Sequence, residues 1–315
     1  MSSHKEIGGY MELESYGAAT YHKGSVLLNS GRNALKYIIR AYDIKKLFIP
    51  YYTCPVVWEV VKEESCELLF YDINSDFMPT QKLPEGAFIL VNDYFGVCSE
   101  NIDKLADLYE NMIVDNAQSF YSKPKGIGSF YSPRKFFGLP DGGLLYCEKR
   151  LNQSFEKDVS HNKVSHLLKR HDLGPSNGYK AFIKNEDSFV NQPIREMSDL
   201  TKALMGNISY EKAREARCAN FENLHKHLVT INELKLSSNY ICPLCYPLLL
   251  KQKGVRDDLK VSKIYTPQYW NGIEAVAPVN SYSSYISEHL IPLPIDQRYT
   301  VEDMKVVLEV LYASI

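Results

Sequence analysis

Lys135 is the side chain of this sequence whose neighbours best suit it to covalent chemistry. Phe136 and Phe137 follow it directly, and a lysine beside two phenylalanines is poorly placed for a fully solvated surface. Desolvation would favour the neutral amine, which can attack a carbonyl group. The alternative is a surface lysine whose stem packs beside the glycine-rich turn that follows.

Asp115 offers a carboxylate at the end of a short apolar run. Met112, Ile113 and Val114 precede it and predict a buried strand. A carboxylate at the carboxyl end of a strand can face a pocket and pair there with a positive charge. The alternative is an aspartate that forms a turn or caps a helix.

A third segment, Ser30-Gly31-Arg32-Asn33, opens a stretch with helical periodicity. Backbone N–H groups are free at a helix N-terminus and attract anions, and a glycine there lets an anion approach closely. The alternative is an ordinary N-cap formed by Asn29 or Ser30, with Gly31 tolerated early in the helix.

The elements that must position these residues alternate between helical periods and short apolar runs. Helical spacing covers residues 35–42, 55–61 and 102–109, and the strands predicted between them are 47–49, 68–71, 88–91 and 112–114. This alternation predicts right-handed βαβ units on a largely parallel sheet. Ligands of such sheets bind outside the carboxyl ends of the strands, where the three segments lie.

The pattern changes after Lys149. Residues 150–190 are polar and show no clear strand, so we expect irregular and helical surface structure there, as a lid or an oligomer contact. Further on, the sequence predicts a helix over 210–228, strands over 246–250 and 290–294, and a final helix from Thr300, where Asp303 completes a sequence like a capping box.

Composition limits the classes of function. The net charge is -2, so we expect neither nucleic acid nor an anionic membrane as a partner. We also expect no signal peptide, no membrane span, and a cytoplasmic protein with reduced cysteines. Cys242 and Cys245 form the one C-x-x-C pair, and without a second pair or nearby histidines we expect no metal there.

Taken in order, the three segments resemble the DegT/DnrJ/StrS family of sugar-nucleotide aminotransferases, which depend on pyridoxal 5′-phosphate (PLP). The specific parts are Asp-x-Ala-Gln at 115–118 and Ser-Pro-x-Lys with a downstream Asp-Gly-Gly at 132–143. Weaker fragments extend the similarity over most of the chain, at residues 8–13, 49–53, 71–73, 195–199 and 293–303. The sequence is therefore identified as a divergent, short member.

The resemblance implies the chemical roles. Lys135 would bind the cofactor covalently. It would then carry a proton between the α-carbon of the substrate and the C4′ carbon of the cofactor. Asp115 would pair with the protonated pyridine nitrogen, which keeps the ring an electron sink. Gln118 would lie beside the phenolic oxygen.

It also implies a phosphate site. The backbone N–H groups of Arg32 and Asn33, approached past Gly31, would hold the cofactor phosphate, and a hydroxyl would be added by Ser129 or Ser132.

The sequence departs from the family at three positions. Phe130 stands where the family usually has a serine, five residues before the lysine. Cys54 replaces an aromatic residue that stacks on the cofactor ring, which leaves Tyr52 or Tyr94 as stacking candidates. Pro193 stands where an asparagine often reaches the phosphate of the partner subunit.

The implied fold class is α/β, a fold-type-I PLP-dependent transferase. A large, mostly parallel-sheet domain would cover residues 20–205, and a smaller α+β domain would cover 206–315, with 1–19 packing nearby. A homodimer with a shared active site is expected.

The implied function is amino transfer from an amino acid, glutamate, to a keto-sugar nucleotide, as in polysaccharide biosynthesis. Two alternatives stay open. One is another PLP-dependent reaction on the same scaffold, and the other is a non-catalytic homologue that acts as a binding partner.

Overall fold

The computed structural model describes residues 7–17 and 20–315. Its strands are β1 (Val26–Leu28), β2 (Lys46–Pro50), β3 (Glu67–Tyr71), β4 (Ile89–Asn92), β5 (Met112–Asp115), β6 (Gly128–Tyr131), β7 (Gly143–Cys147), β8 (Cys245–Leu249) and β9 (Leu290–Pro294). Its α-helices are α1 (Gly31–Ala41), α2 (Pro55–Glu63), α3 (Ser99–Leu108), α4 (Ser165–Leu173), α5 (Pro175–Asp187), α6 (Asp199–Gly206), α7 (Tyr210–Leu228), α8 (Val255–Val261), α9 (Tyr282–His289) and α10 (Val301–Ser314).

Seven strands form one sheet in the order β1-β7-β6-β5-β4-β2-β3. The five strands from β6 to β3 are parallel, and β7 and β1 complete one edge in antiparallel pairing. The predicted, largely parallel sheet is therefore confirmed. In its register Asn92 lies opposite Asp115, and Asp115 lies opposite Phe130, so the carboxyl ends of β4, β5 and β6 meet at one edge.

Local sequence signals explain where the helices begin. The hydroxyl of Ser30 accepts a hydrogen bond from the backbone of Asn33 and caps α1. Pro55 occupies the first turn of α2, where its missing N–H has no cost. Thr300 and Asp303 form the capping box of α10, as the sequence predicted.

The polar stretch after β7 folds mainly as a helical hairpin. Helices α4 and α5 pack on each other and are joined through Gly174, whose φ of 84° disfavours residues with a side chain. The expectation of irregular and helical structure over 150–190 is confirmed.

One continuous cluster of buried apolar residues crosses the boundary proposed near residue 205. Ile49 of the large sheet and Leu248 of the two-stranded β8–β9 sheet both belong to it. The boundary itself coincides with the end of α6, and the division into two domains stays a prediction. Of the N-terminal segment, residues 1–6 and 18–19 lie outside the described residues, and Tyr16 donates a backbone hydrogen bond to the side chain of Asn207.

Across residues 7–17 and 20–315, no helix has the length and apolar character that crossing a bilayer requires.

Candidate active site

Lys135 ends a short helical turn, Pro133–Lys135, which follows β6 after one residue. Its backbone N–H donates to the carbonyl of Ser132 at 3.1 Å. The lysine side chain is exposed, whereas Phe136 and Phe137 are buried. The expected desolvation of the amine is therefore wrong, because the phenylalanines anchor the turn and the lysine remains accessible to a substrate.

Asp115 lies at the carboxyl end of β5 and is buried. One carboxylate oxygen accepts the backbone N–H of Ala117 at 2.8 Å, and the other accepts the side-chain amide of Asn92 at 3.3 Å. Burial raises the pKa of Asp115, and the positive charge of Lys135 and the Ala117 hydrogen bond lower it in part. The carboxylate is therefore oriented by β4 and by the turn after β5, and the charge of Lys135 acts on it.

Cys54 shares this edge of the sheet. Burial raises the pKa of the Cys54 thiol, while the charge of Lys135 lowers it and that of Asp115 raises it. The charges of Lys135 and Asp115 both act on the thiol, and the three groups lie near the same edge of the sheet. The fold thus brings together three residues that are far apart in the sequence.

Gln118 follows β5 and is buried. Its side-chain oxygen accepts the backbone N–H of Phe95 at 3.0 Å, which fixes the orientation of the amide. Among the described residues, its side-chain nitrogen has no hydrogen-bond partner. A buried amide donor without an acceptor is uncommon, so Gln118 is a candidate to donate to a bound molecule.

The N-terminus of α1 offers fewer donors than the sequence implied. The backbone N–H of Asn33 donates to the hydroxyl of Ser30 at 3.2 Å, and its side-chain amide donates to Asn29 and Pro193. Asn33 is thus engaged within the chain. The backbone of Arg32 lies in the first turn, where intrahelical acceptors are lacking, and its half-buried side chain reaches the ring of Phe189, with 6.0 Å between guanidinium carbon and ring centre.

The serines around β6 have different surroundings. The hydroxyl of Ser129 donates to the carbonyl of Lys125 at 2.8 Å and accepts the N–H of the same residue at 2.9 Å. Ser129 therefore closes a loop, and its hydroxyl is not free for an anion. Phe130 and Ser132 lie nearer to α1: a Cβ atom built on Gly31 would be 3.7 Å from the Phe130 ring and 4.0 Å from the Ser132 Cβ.

The proposed stacking tyrosines pack elsewhere. Tyr52 is fully buried, with its ring centre 5.5 Å from that of Tyr94 and 4.9 Å from that of Trp270. The hydroxyl of Tyr94 donates to the carbonyl of Tyr52 at 2.6 Å. Both tyrosines are therefore core residues in this arrangement.

The Asp-Gly-Gly block has a structural explanation. Both carboxylate oxygens of Asp141 accept hydrogen bonds from Ser198, the N-cap residue of α6. At Gly143 a Cβ atom would lie 2.2 Å from the carbonyl oxygen of Ser30, so only glycine lets β7 approach the start of α1. The block therefore fixes the base of the site.

Asn92 and Thr53 complete the site and were missed as individual candidates in the sequence. The side-chain oxygen atoms of both are buried and, within the described ranges, lack hydrogen-bond partners. The signal that could have found them is their position, since each lies at or just after the end of a parallel strand. The arrangement can hold an anion at α1, a protonated ring nitrogen at Asp115 and a carbonyl compound at Lys135.

No model of a known protein family matches this sequence, and no curated protein matches it. Solved structures do match. A DegT DnrJ EryC1 StrS aminotransferase from Brucella abortus is 16% identical with a TM-score of 0.63, over 93% of this chain and 86% of that chain.

Two further similar structures belong to named enzymes. The putative sugar aminotransferase Spr1654 from Streptococcus pneumoniae, in its PMP form, gives a TM-score of 0.66 at 14% identity, over 92% of this chain and 87% of that one. DesV of S. venezuelae, in complex with a ketimine intermediate, gives 0.65 at 14% identity, over 92% and 84%.

The chain has the fold of the DegT/DnrJ/EryC1/StrS aminotransferases. This is the fold-type-I architecture, and the fold class expected from the sequence is confirmed. Ligands of doubly wound sheets bind outside the carboxyl edge of the parallel strands, and Asp115 and the turn that carries Lys135 both lie at this edge.

Proposed function

We propose that this protein is a PLP-dependent aminotransferase. The observation that carries the proposal is an exposed amine, Lys135, whose charge lowers the pKa of a buried carboxylate, Asp115, at the carboxyl edge of a fold-type-I sheet. A covalently attached carbonyl cofactor needs such an accessible amine.

The residues present fit PLP. The cofactor carries an aldehyde, a phenolic oxygen, a pyridine nitrogen and a phosphate. Lys135 offers the amine for the aldehyde, Asp115 a carboxylate for the nitrogen, and Gln118 a buried, unpartnered amide donor for the phenolic oxygen. The first turn of α1 and the Arg32 side chain supply an N–H group and a cation for the phosphate.

When bound, PLP supplies an electron sink for the carbanion that forms at the α-carbon of an amino acid. The chain supplies the other functions. Asp115 would hold a proton on the ring nitrogen with its buried carboxylate. Lys135, whose amine is exposed, would act as the general base and acid for the proton of the substrate α-carbon. Gln118, oriented by the N–H of Phe95, would donate to the phenolic oxygen.

For the substrates we infer glutamate as amino donor and a keto-sugar nucleotide as acceptor. DesI, one of the proteins with a similar structure, was crystallised in the presence of its TDP-sugar product, and Spr1654 is a putative sugar aminotransferase. A homodimer with a shared site, a cytoplasmic location and a role in polysaccharide biosynthesis belong to the same proposal. The proposal for its assembly rests on the similar fold.

A non-catalytic homologue is the second candidate, and one contact favours it. The ring of Phe130 lies against Gly31, at the end of the site where the phosphate would bind, and the hydroxyl of Ser129 is engaged elsewhere. Both features remove hydrogen-bond donors from the phosphate. Lys135 and Asp115 together oppose this candidate, because a non-catalytic homologue has no reason to keep both.

Reductive trapping distinguishes the two. The protein is incubated with PLP, treated with borohydride and digested, and the modified peptide is sequenced by mass spectrometry. We expect a phosphopyridoxyl group on Lys135. If only scattered surface lysines were modified, in proportion to the PLP concentration, the aminotransferase proposal would be rejected. The non-catalytic homologue would then be favoured.

A further inference from the structure

A buried arginine on α7 is linked by hydrogen bonds to the segments that carry Lys135 and Gln118. Arg217 is 2% exposed, and no carboxylate of the described residues lies within 4 Å of its guanidinium. Burial lowers the pKa of Arg217. An ionised group in such a place is costly unless its donors are satisfied, so its hydrogen bonds need an explanation.

The first set of contacts leads to Lys135. Arg217 donates to the carbonyl of Phe136, the residue after the lysine, at 3.3 Å. The same carbonyl accepts the side-chain amide of Gln297 at 2.8 Å, and Gln297 in turn accepts Nε–H of Arg217 at 2.9 Å. The guanidinium also lies 4.6 Å from the centre of the Phe136 ring.

The second set leads to Gln118. Arg217 donates to the carbonyl of Leu244 at 3.1 Å, and the N–H of Leu244 donates to the carbonyl of Phe95 at 2.7 Å. The N–H of Phe95 donates to the side chain of Gln118. A continuous series of hydrogen bonds therefore joins Arg217 to the amide that faces the site.

The turn that carries Lys135 needs such support. It contains three residues, and its own backbone hydrogen bonds are those of Lys135, Phe136 and Phe137 to the preceding Ser132 and Pro133. A single short 3₁₀ turn with an exposed side chain has little stability of its own.

We propose that Arg217, with Gln297, is a positioning residue for Lys135. It fixes the carbonyl of Phe136 and thereby holds the lysine turn at a constant distance from the Gln118 side of the site. The role rests on the proposed function, in which Lys135 binds PLP, although the contacts exist without cofactor. Arg217 touches neither Lys135 nor a substrate, so its effect on chemistry is indirect.

Amide hydrogen exchange of the cofactor-free protein tests this positioning role without an enzymatic assay. In Arg217→Met we expect exchange within residues 133–139 to accelerate by about tenfold or more, since hydrogen bonds from a charged donor are lost. Arg217→Lys should restore part of the protection. Arg214→Met is the matched control, because Arg214 lies on the same helix, is only half-buried and pairs with Glu211.

Gln297→Ala keeps the test valid if Arg217→Met does not fold. Gln297 is half-buried, and its replacement removes the second donor to the Phe136 carbonyl. We expect amide exchange within residues 133–139 to accelerate, but by a smaller factor than in Arg217→Met. Unchanged exchange in 133–139, or equal acceleration throughout the chain, would overturn the proposal, because the arginine would then be irrelevant or merely structural.

Trapping with PLP and borohydride is the second measurement. We expect Arg217→Met to be modified on Lys135 more slowly than wild type, with the pH dependence of bound-PLP absorbance displaced, and Arg214→Met to match wild type. Wild-type trapping rates in a folded Arg217→Met would contradict the positioning role. If wild type itself is not trapped, the proposed function fails, whereas the exchange pattern still decides whether Arg217 holds the turn.

Discussion

The side-chain amide of Asn92 donates a hydrogen bond to the carboxylate of Asp115 across two parallel strands, at 3.3 Å. The two residues are also register partners, so the strand pairing itself sets this contact. Together with the N–H of Ala117, it fixes the orientation of both carboxylate oxygens. The neighbouring strand and the turn after β5 therefore decide how Asp115 is oriented.

Replacing Lys135 by alanine should abolish covalent PLP binding and leave the fold intact. The side chain is exposed, so its loss creates no cavity, and the free energy of unfolding should change by less than about 0.5 kcal/mol. Borohydride trapping and a thermal melt measure the two effects. Lys123→Ala is the control, since Lys123 is also exposed. Trapping in Lys135→Ala at the wild-type level would assign the reactive amine to another lysine.

Replacing Asp115 by asparagine should keep PLP binding and reduce turnover by about 100-fold or more. A neutral amide cannot stabilise a proton on the ring nitrogen, and electrostatic contributions of this kind commonly have that size. Trapping yield and the rate of amino transfer are measured side by side. Asp107→Asn, an exposed aspartate on α3, serves as control. A wild-type rate in Asp115→Asn would remove Asp115 from the mechanism.

The same variant should be more stable than wild type in the absence of cofactor. Burial raises the folded-state pKa of Asp115 above its ordinary 3.8, so the folded state binds this proton more tightly than the unfolded state. The stability that the protonated carboxyl contributes is fully present below pH 3.8 and is lost as the pH rises through the folded-state pKa. Asparagine does not titrate and avoids this loss.

Urea unfolding of the cofactor-free proteins across the pH range measures the difference. We expect Asp115→Asn and wild type to converge in acid and to separate as pH rises, with the variant more stable near neutrality. A difference that shrinks with rising pH would show that the Lys135 charge outweighs burial.

The sequence predicted four of the five parallel strands, because each of these four is an apolar run that ends in a turn residue or a polar residue. β5 and β9 follow their predicted ranges within one residue, and α7 matches its range. Strands β1, β6 and β7 were not predicted, and β6 begins with Gly-Ser and so lacks a continuous apolar run. β1 has only three residues, and β7 is held by antiparallel pairing with β1 and β6, a long-range contact without a local signal.

The site was predicted less completely, for a related reason. Lys135 and Asp115 follow recognisable segments, but the alternative hydrogen-bond partners of Ser129 and Asn33 depend on which atoms the fold brings within about 3 Å. Residue type could not show that Lys125 engages Ser129, and it gave Ser30 as the N-cap that takes the N–H of Asn33 only as an alternative to an anion site. Arg217 was not singled out because it lies on a helix with a mixed polar pattern.

His22 should make the protein less stable in mild acid. Its ring is buried, Nε2 lies 2.5 Å from the carbonyl oxygen of Phe120, and burial lowers its pKa to about 4 from an ordinary 6.5. The folded state thus holds a neutral imidazole, while the unfolded state takes up a proton. The stability that the neutral imidazole contributes is fully present above pH 6.5 and is lost as the pH falls toward 4. The loss amounts to about 3 kcal/mol at most.

Urea unfolding between these pH values measures the slope. His22→Gln can still donate to Phe120 but does not titrate, so its stability should depend less steeply on pH, even if it is lower throughout. Equal slopes in the two proteins would assign the acid sensitivity to other groups.

Glutamate alone should convert the PLP-loaded protein to its pyridoxamine form and release 2-oxoglutarate. This half-reaction requires no sugar, so it tests amino transfer before the acceptor is known. The chain supplies an accessible amine at Lys135 and a buried carboxylate at Asp115, and neither depends on the acceptor. Cys54, in place of a stacking aromatic residue, should weaken PLP binding by about tenfold at most, since such a contact contributes about 0.5–1.5 kcal/mol.

The assay therefore contains added PLP. The amount of 2-oxoglutarate released in a single turnover is measured and compared with the amount of protein. Lys135→Ala and Asp115→Asn are run in parallel, and both should release little product. If wild type traps PLP on Lys135, yet neither glutamate nor any other amino acid yields its keto acid, the aminotransferase assignment is wrong. Another PLP-dependent reaction would then be the function to pursue, because trapping would still show that Lys135 holds the cofactor.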